Sequence, residues 1–184
     1  QYDLAVADFT RGIRSDARSA RGYYDRGLAY MKIGQYPSAL DDFTQVLALD
    51  PASSNALFQR ALAYKALGQF DLARAALDQA IALTPADAAA FQARAELFYQ
   101  SGYYAEARDD FNQVIALQPD NAIAYYLRAL ANIHLSNVEN ALHDLDETIR
   151  LDPENIQAWY EHGRLNYQSG LFSQAAVDFD RVLA

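Results

Sequence analysis

Apolar residues recur along the chain at the spacing of one helix face, in stretches of about 14 residues separated by short breaks. The first pair of stretches runs from Ala20 to Ile33 and from Tyr36 to Leu49. Gly34 lies at the break between them, where a left-handed residue ends a helix at low cost. Pro51 ends the second stretch because it lacks an N–H group and crowds the preceding turn. This pattern predicts pairs of α-helices joined by short turns.

The residues that end the helices recur with a period of 34 residues. The prolines of this series are Pro51, Pro85, Pro119 and Pro153. The glycines of a second series are Gly34, Gly68, Gly102 and Gly170, with Ser136 in the remaining place. Two such series with one period identify an internal repeat. The repeats are four full units at 20–53, 54–87, 88–121 and 122–155, a half unit at 1–19 and a shortened unit at 156–184.

Polar residues with a capping side chain precede the first helix of every unit. They are Ser19, Ser53, Asp87, Asn121 and Asn155. A side-chain oxygen at this place accepts a hydrogen bond from a free N–H group of the first turn. We therefore expect the first helix of each unit to begin directly after these residues.

Small and large residues also recur at fixed places, as antiparallel helices need in order to interlock. The first full unit has the series Tyr23, Gly27, Tyr30, Gly34, Tyr36, Ala39, Phe43 and Pro51, and the third has Phe91, Ala95, Phe98, Gly102, Tyr104, Ala107, Phe111 and Pro119. In this pattern the sequence resembles the tetratricopeptide repeat (TPR) family over essentially its whole length. The resemblance implies an all-α fold, a right-handed superhelical solenoid of antiparallel helix pairs. Residues 1–184 are thus expected to form a single array, as a part of a longer protein.

Arginine stands where the family tolerates leucine in the first helix, and this departure needs an explanation. The series is Arg26, Arg60, Arg94 and Arg128, followed by His162. A charge at a core-facing position is costly unless it is paired. Candidate partners are Asp8, Asp42, Asp110, Asp144 and Asp178, with Ala76 interrupting the run. We predict an Arg–Asp ladder, in which each arginine meets the aspartate of its own unit or of the preceding one; the alternative is that the arginines hold an acidic ligand.

The TPR resemblance implies that the first helices line a concave groove that binds a peptide or protein segment. The positions that the family uses for this groove carry mostly apolar and tyrosine side chains here, which suits protein recognition. They are Tyr24, Leu28, Met31, Phe58, Leu62, Lys65, Gln92, Glu96, Tyr99, Tyr126, Leu130, Ile133, Tyr160, Arg164 and Tyr167. His134 is also expected at this groove.

Composition narrows the range of partners. The net charge of −9 disfavours nucleic acids, because binding to phosphates depends on Lys and Arg. No apolar run approaches the roughly 18–20 residues of a membrane span. The chain has no cysteine, its three histidines lack metal-ligand spacing, and no phosphate loop or nucleophile motif occurs. We expect no metal, no cofactor and no catalytic activity in these residues.

Three functions remain open. The leading hypothesis is a protein-interaction scaffold that binds a partner segment in the groove. The second is a structural scaffold that self-associates through the ends of the array, since exposed ends of a solenoid favour stacking. The third is a substrate-recruiting domain of an enzyme whose catalytic part lies outside this segment. The sequence does not identify the partner or the cellular compartment.

Overall fold

The computed structural model describes residues 2–183, so the two outermost residues of the expected array, Gln1 and Ala184, lie outside the described part. Within residues 2–183 the chain forms eleven α-helices and no strand, which confirms the predicted all-α fold class. The helices are α1 (Tyr2–Ser15), α2 (Ala20–Lys32), α3 (Tyr36–Leu49), α4 (Ser54–Ala66), α5 (Phe70–Leu83), α6 (Ala88–Gln100), α7 (Tyr104–Leu117), α8 (Ala122–His134), α9 (Val138–Leu151), α10 (Ile156–Gln168) and α11 (Phe172–Leu183).

The chain divides into two compact units, Gln1–Ala93 and Arg94–Ala184, and the dividing point falls within α6. In the first unit each helix from α1 to α5 packs on the next, and α2 also contacts α4. In the second unit the same order holds from α7 to α11. Sequential packing of short helix pairs is the arrangement of a repeat solenoid, in which each repeat contacts its neighbours.

The turns inside the helix pairs use the left-handed backbone that the glycine series predicts. Gly34, Gly68, Gly102 and Gly170 have φ between 71° and 81°. Ser136 takes the same conformation at φ 61°, although it carries a side chain. The period of 34 residues therefore fixes the backbone of this turn even where glycine is replaced.

Four of the five predicted caps form. The side-chain oxygens accept hydrogen bonds from first-turn N–H groups over 3.0–3.3 Å at Ser19, Asp87, Asn121 and Asn155. The prediction was wrong for Ser53, whose side chain makes no capping hydrogen bond. Its φ of −73° and ψ of 90° are close to those of Ser19, so the difference lies in the hydroxyl rotamer and not in the backbone.

The core consists of large side chains that fill spaces left by small ones on the facing helix. Phe43 on α3 is fully buried against Gly27 on α2. A Cβ atom added at Gly27 would lie 2.7 Å from the Phe43 ring, so this pair is in close contact. Thr148, an unusual residue for its place in the repeat, is also fully buried, and its hydroxyl donates to the Asp144 carbonyl over 2.8 Å. The fourth repeat thus buries this threonine without leaving its hydroxyl unpaired.

We expect Ser136→Gly to raise the free energy of unfolding by about 0.5–1 kcal/mol. A left-handed backbone destabilises a residue with a side chain by about 1–2 kcal/mol, and glycine avoids this cost. The greater conformational freedom of glycine in the unfolded chain offsets part of the stabilisation. Urea titration of the full chain measures the change. Gly102→Ser is the matched control and should be destabilising by a similar amount, because no atom crowds that position. A less stable Ser136→Gly variant would contradict the strain argument.

Candidate peptide-binding surface

The first helices present the predicted groove positions as partly buried side chains, except for Tyr160 and Tyr167, which are exposed. In the first unit these positions are Tyr24, Leu28 and Met31 on α2, Phe58, Leu62 and Lys65 on α4, and Gln92 on α6. In the second unit they are Glu96 and Tyr99 on α6, Tyr126, Leu130 and Ile133 on α8, and Tyr160, Arg164 and Tyr167 on α10. Each of these side chains therefore keeps part of its surface exposed.

In the first unit, Tyr24 is held by the core beneath it. Its ring lies 5.9 Å from the Phe43 ring, tilted by 59°. Burial raises the pKa of Tyr24, and the nearby Asp25 carboxylate adds to this effect. The phenol therefore stays protonated at neutral pH and is able to donate a hydrogen bond.

In the second unit, three aromatic side chains from different helices form one cluster. The His134 ring stacks on Tyr104 with centroids 4.0 Å apart and planes inclined by 2°. His134 Nε2 lies 3.2 Å from the Tyr99 hydroxyl, and Tyr99 meets Tyr104 edge to face at 5.3 Å. His134 is exposed, and its position in a groove stays a prediction. The sequence pointed to Tyr99 and His134 but placed Tyr104 only among packing residues.

Glu161 on α10 is a further member of this surface that the sequence reasoning missed. Its Oε2 accepts from Arg164 Nε at 2.8 Å and from Arg164 Nη2 at 2.6 Å. The charge of Arg164, a predicted groove residue, is therefore already paired. The spacing of three residues between Glu161 and Arg164 was the sequence signal for this pair.

Burial and the Glu161 carboxylate act together on two tyrosines of the second unit. Burial raises the pKa of Tyr126, with smaller contributions from Glu161 and Tyr99. Burial also raises the pKa of Tyr99, helped by Tyr104 and Glu161. Both phenols stay neutral at physiological pH, so this surface offers hydroxyl donors beside one paired carboxylate.

The Arg–Asp ladder joins the two helices of a repeat in three places. Each of these arginines donates from Nε and Nη2 to both carboxylate oxygens of one aspartate at 2.5–3.0 Å, in the pairs Arg26–Asp42, Arg94–Asp110 and Arg128–Asp144. The aspartate belongs to the arginine's own repeat in every pair. The preceding repeat contributes neutral acceptors, since Arg26 Nη1 donates to Thr10 and Arg128 Nη1 donates to Asn112.

His162 occupies the ladder position of the last repeat. Its Nδ1 lies 2.9 Å from Asp178, the aspartate of its own repeat. Its Nε2 lies 3.3 Å from Asp146 in the preceding one. The buried Asn166 also donates to Asp178, over 3.0 Å. A histidine and an asparagine together thus contact the carboxylate that an arginine holds in other repeats.

Two predicted ladder members lie outside this pattern. Asp8 pairs with Arg11 one turn away, and its side chain is largely exposed. Arg60 has Ala76 16 positions after it, where the paired repeats have aspartate. Its Nε is buried, and no described residue accepts a hydrogen bond from it. The ladder therefore has a gap in the second full repeat.

A family model described as Tetratricopeptide repeat matches the sequence over the overlapping segments 1–54, 24–88, 58–112, 92–153 and 135–184. The chain belongs to the tetratricopeptide repeat family. Proteins of this family bind peptides or other proteins, and they are generally scaffolds without catalytic activity. The family membership confirms the resemblance found in the sequence.

Solved structures of TPR proteins share this fold. MamA from Desulfovibrio magneticus RS-1, residue 41 to the end, is 24% identical with a TM-score of 0.83, over 89% of this chain and 93% of that one. YrrB, described as a TPR protein with an unusual peptide-binding site, is 15% identical with a TM-score of 0.84. The match covers 95% of this chain and 90% of the YrrB chain. At these identities the likeness concerns the fold. The comparison with curated proteins gives no match.

None of the helices in residues 2–183 has the length and apolar character that crossing a membrane requires. Over the same described residues, no three His, Asp or Glu side chains are grouped as the ligands of a metal ion would be.

We expect Ala76→Asp to raise the free energy of unfolding by about 1–2 kcal/mol, since a hydrogen bond to a charged group is worth about 1.5–3 kcal/mol and burial of the new carboxylate costs part of it. Ala76 is 1% exposed and stands 16 positions after Arg60, at the place of the ladder aspartate. Urea titration measures the effect. Ala76→Asn has nearly the same shape without the charge and should gain less. If Ala76→Asp destabilises the chain as an unpaired buried acid would, Arg60 does not fill the ladder position.

Proposed function

We propose that this TPR chain is a protein-interaction scaffold and that its first helices bind an extended or helical segment of a partner protein. The observation that carries the proposal is the row of partly buried apolar and tyrosine side chains on successive first helices. In the second unit the row includes Tyr99 on α6, Tyr126 on α8 and the exposed Tyr160 on α10. Tyrosines present a large contact area with a polar tip, as protein-binding surfaces do.

The charges of the surface indicate the chemistry of the bound segment. Arg164 is neutralised by Glu161, and the tyrosines stay protonated, so neither provides a free charge for a ligand. Such a surface favours a segment with apolar or aromatic anchors and with backbone carbonyls that accept from the phenols. Affinity in the micromolar range is ordinary for a groove of this kind, about −8 kcal/mol.

Selection of random 12-residue peptides displayed on phage, with the full chain immobilised, tests the proposal. We expect enriched peptides with aromatic or branched apolar anchors, and fluorescence polarisation of those peptides should give micromolar dissociation constants. Tyr160→Glu in the second unit and Leu62→Glu in the first should each weaken the peptides that bind their unit by about tenfold or more, because a desolvated charge is costly.

Matched controls place the same charge on second helices. Leu72 on α5 is 50% exposed and Leu117 on α7 is 40% exposed, so Leu72→Glu and Leu117→Glu should leave both binding and melting temperature unchanged. Melting curves of all four variants separate loss of binding from loss of fold. If no peptide is enriched, or if the selected peptides bind both groove variants as well as the wild type, the proposal is wrong.

Self-association is a second candidate function. Exposed apolar side chains on α1 and α11 favour it. Leu4 on α1 is 72% exposed, and Phe172 and Val177 on α11 are 62% and 60% exposed. Pairing of such surfaces is the alternative that the sequence left open. Light scattering at several protein concentrations distinguishes it from the leading proposal, since a mass that stays at 20.5 kDa throughout would exclude assembly.

A further inference from the structure

A polar pocket opens between α7, α8 and α9 of the second unit, at residues other than the predicted groove positions. Its lining includes Arg108, Asn112, Arg128, Asn132, Asn140 and His143. Asp144 also reaches it but is held by Arg128 and Asn132. The lining holds two arginines and one carboxylate, and a second carboxylate, Asp109, pairs with Arg108 just outside it.

The pocket lies where a large side chain of the repeat is replaced by a small one. The corresponding places in earlier repeats hold Tyr30, Tyr64 and Phe98. Tyr30 covers the Arg26 guanidinium at 5.8 Å, and Phe98 covers Arg94 at 5.9 Å. In the fourth repeat Tyr125 still covers Arg128 at 5.4 Å, but Asn132 takes the place of the second ring. One flank of Arg128 therefore faces the pocket instead of an aromatic side chain.

Asn132 has an unsatisfied acceptor at this pocket. The residue is 2% exposed, and its Nδ2 donates to Asp144 Oδ2 over 3.1 Å, which fixes the orientation of the amide. Its Oδ1 is buried, and none of the described residues donates a hydrogen bond to it. A buried acceptor without a donor costs about 1–3 kcal/mol. A ligand with an N–H group at this place would recover that cost.

The donors of the pocket are only partly used by the protein. Arg108 gives Nε and Nη2 to Asp109 Oδ1, and its side chain is one-third exposed. Arg128 uses Nε, Nη1 and Nη2 once each, which leaves one hydrogen on each terminal nitrogen. Asn112 accepts from Arg128 through Oδ1, so its amide hydrogens remain as donors. The pocket thus offers several donors to an anion beside a single buried acceptor.

We propose that this pocket is a second binding site, which takes an acidic residue of a peptide. The carboxylate accepts hydrogen bonds from Arg108, Arg128 and Asn112, and an N–H group of the same peptide donates to Asn132 Oδ1. Charge-assisted bonds from arginine to a carboxylate supply most of the affinity. The site shares α8 with the proposed groove but uses other residues of it, together with α7 and α9, and its ligand is charged, so either site can fail without the other.

The test is an NMR titration of the full chain labelled with ¹⁵N, using the probe N-acetyl-Asp-Gly-amide and its neutral match N-acetyl-Asn-Gly-amide. We expect saturable shifts of the Asn132 side-chain amide and of the Arg128 Nε–H with a dissociation constant of about 1 mM, ordinary for so small a ligand. The neutral probe should bind about tenfold more weakly or worse, since it lacks the charge. Inorganic phosphate is a third titrant.

Asn132→Tyr restores the side chain of the earlier repeats and should abolish the saturable shift at Arg128 while the melting temperature is kept. Asn166→Tyr is the matched control in the next repeat and should leave binding unchanged. If Asn132→Tyr fails to fold, Arg108→Gln decides the matter, because this partly exposed arginine pairs only with its neighbour Asp109 and its loss should weaken the acidic probe about tenfold.

Three outcomes would overturn the proposal. They are equal binding of the acidic and neutral probes, undiminished binding by Asn132→Tyr or by Arg108→Gln, and shifts with phosphate that match those of the acidic probe in size and position. The last result would make the pocket a general anion site and not one for a peptide.

Discussion

Asp144→Ala is expected to lower the free energy of unfolding by about 3–5 kcal/mol, because it leaves a buried arginine charge without its partner. Asp144 is 2% exposed and accepts two hydrogen bonds from Arg128, whose side chain is 19% exposed. It also accepts from the buried Asn132. The substitution therefore strands one charge and one amide together. Urea titration followed by circular dichroism measures the loss.

The control for Asp144→Ala is Asp109→Ala, in the repeat before it. Asp109 pairs with Arg108, but its side chain is 64% exposed, and an exposed ion pair contributes less than about 1 kcal/mol. Replacing both Arg128 and Asp144 by leucine removes the charges together and should cost much less than Asp144→Ala alone. A double variant as unstable as the single one would mean that the ladder contributes through packing and not through charge.

The helices were predictable from the sequence because their ends depend on the local backbone. A proline beyond the first turn and a left-handed glycine both end a helix, so the spacing of Gly34 and Pro51 is enough to place α2 and α3. A hydroxyl rotamer is not determined in this way. Ser53 has the residue type and the backbone angles of a cap, yet its side chain makes no capping hydrogen bond.

The ladder was predictable as a set of residues but not as a set of contacts. The register brought Arg128 near carboxylates, and it left open whether the partner belonged to its own repeat. That choice depends on the reach of the side chain across α8 and α9, where Asp144 takes two of its donors while Asn112 of the preceding repeat takes a third. The direction of a long side chain follows from packing in three dimensions and not from sequence spacing.

For the candidate surface, too, the sequence predicted which residues take part but not which of them are in contact. Register places Tyr99 and His134 on first helices, but the stacking of His134 on Tyr104 joins a first helix to a second helix of another repeat. The loss of the aromatic residue at Asn132 was visible in the sequence. The sequence did not show whether neighbouring side chains would fill the space left beside Asn132, because this depends on how far the surrounding structure can collapse.

Phe43→Ala is the second substitution with a large expected effect, a loss of about 3–5 kcal/mol in the free energy of unfolding. Phe43 is fully buried on α3, where it fills the space beside Gly27 and supports the ring of Tyr24. Gly27 has no side chain that could move into the space, so the cavity stays largely open and the full cost is expected. Urea titration gives the stability, and the matched control Phe172→Ala, at a side chain that is 62% exposed, should change it by less than about 0.5 kcal/mol. A loss for Phe43→Ala as small as that of the control would mean that the two helices close over the gap, and that the fit of Phe43 against Gly27 does not hold α2 and α3 together.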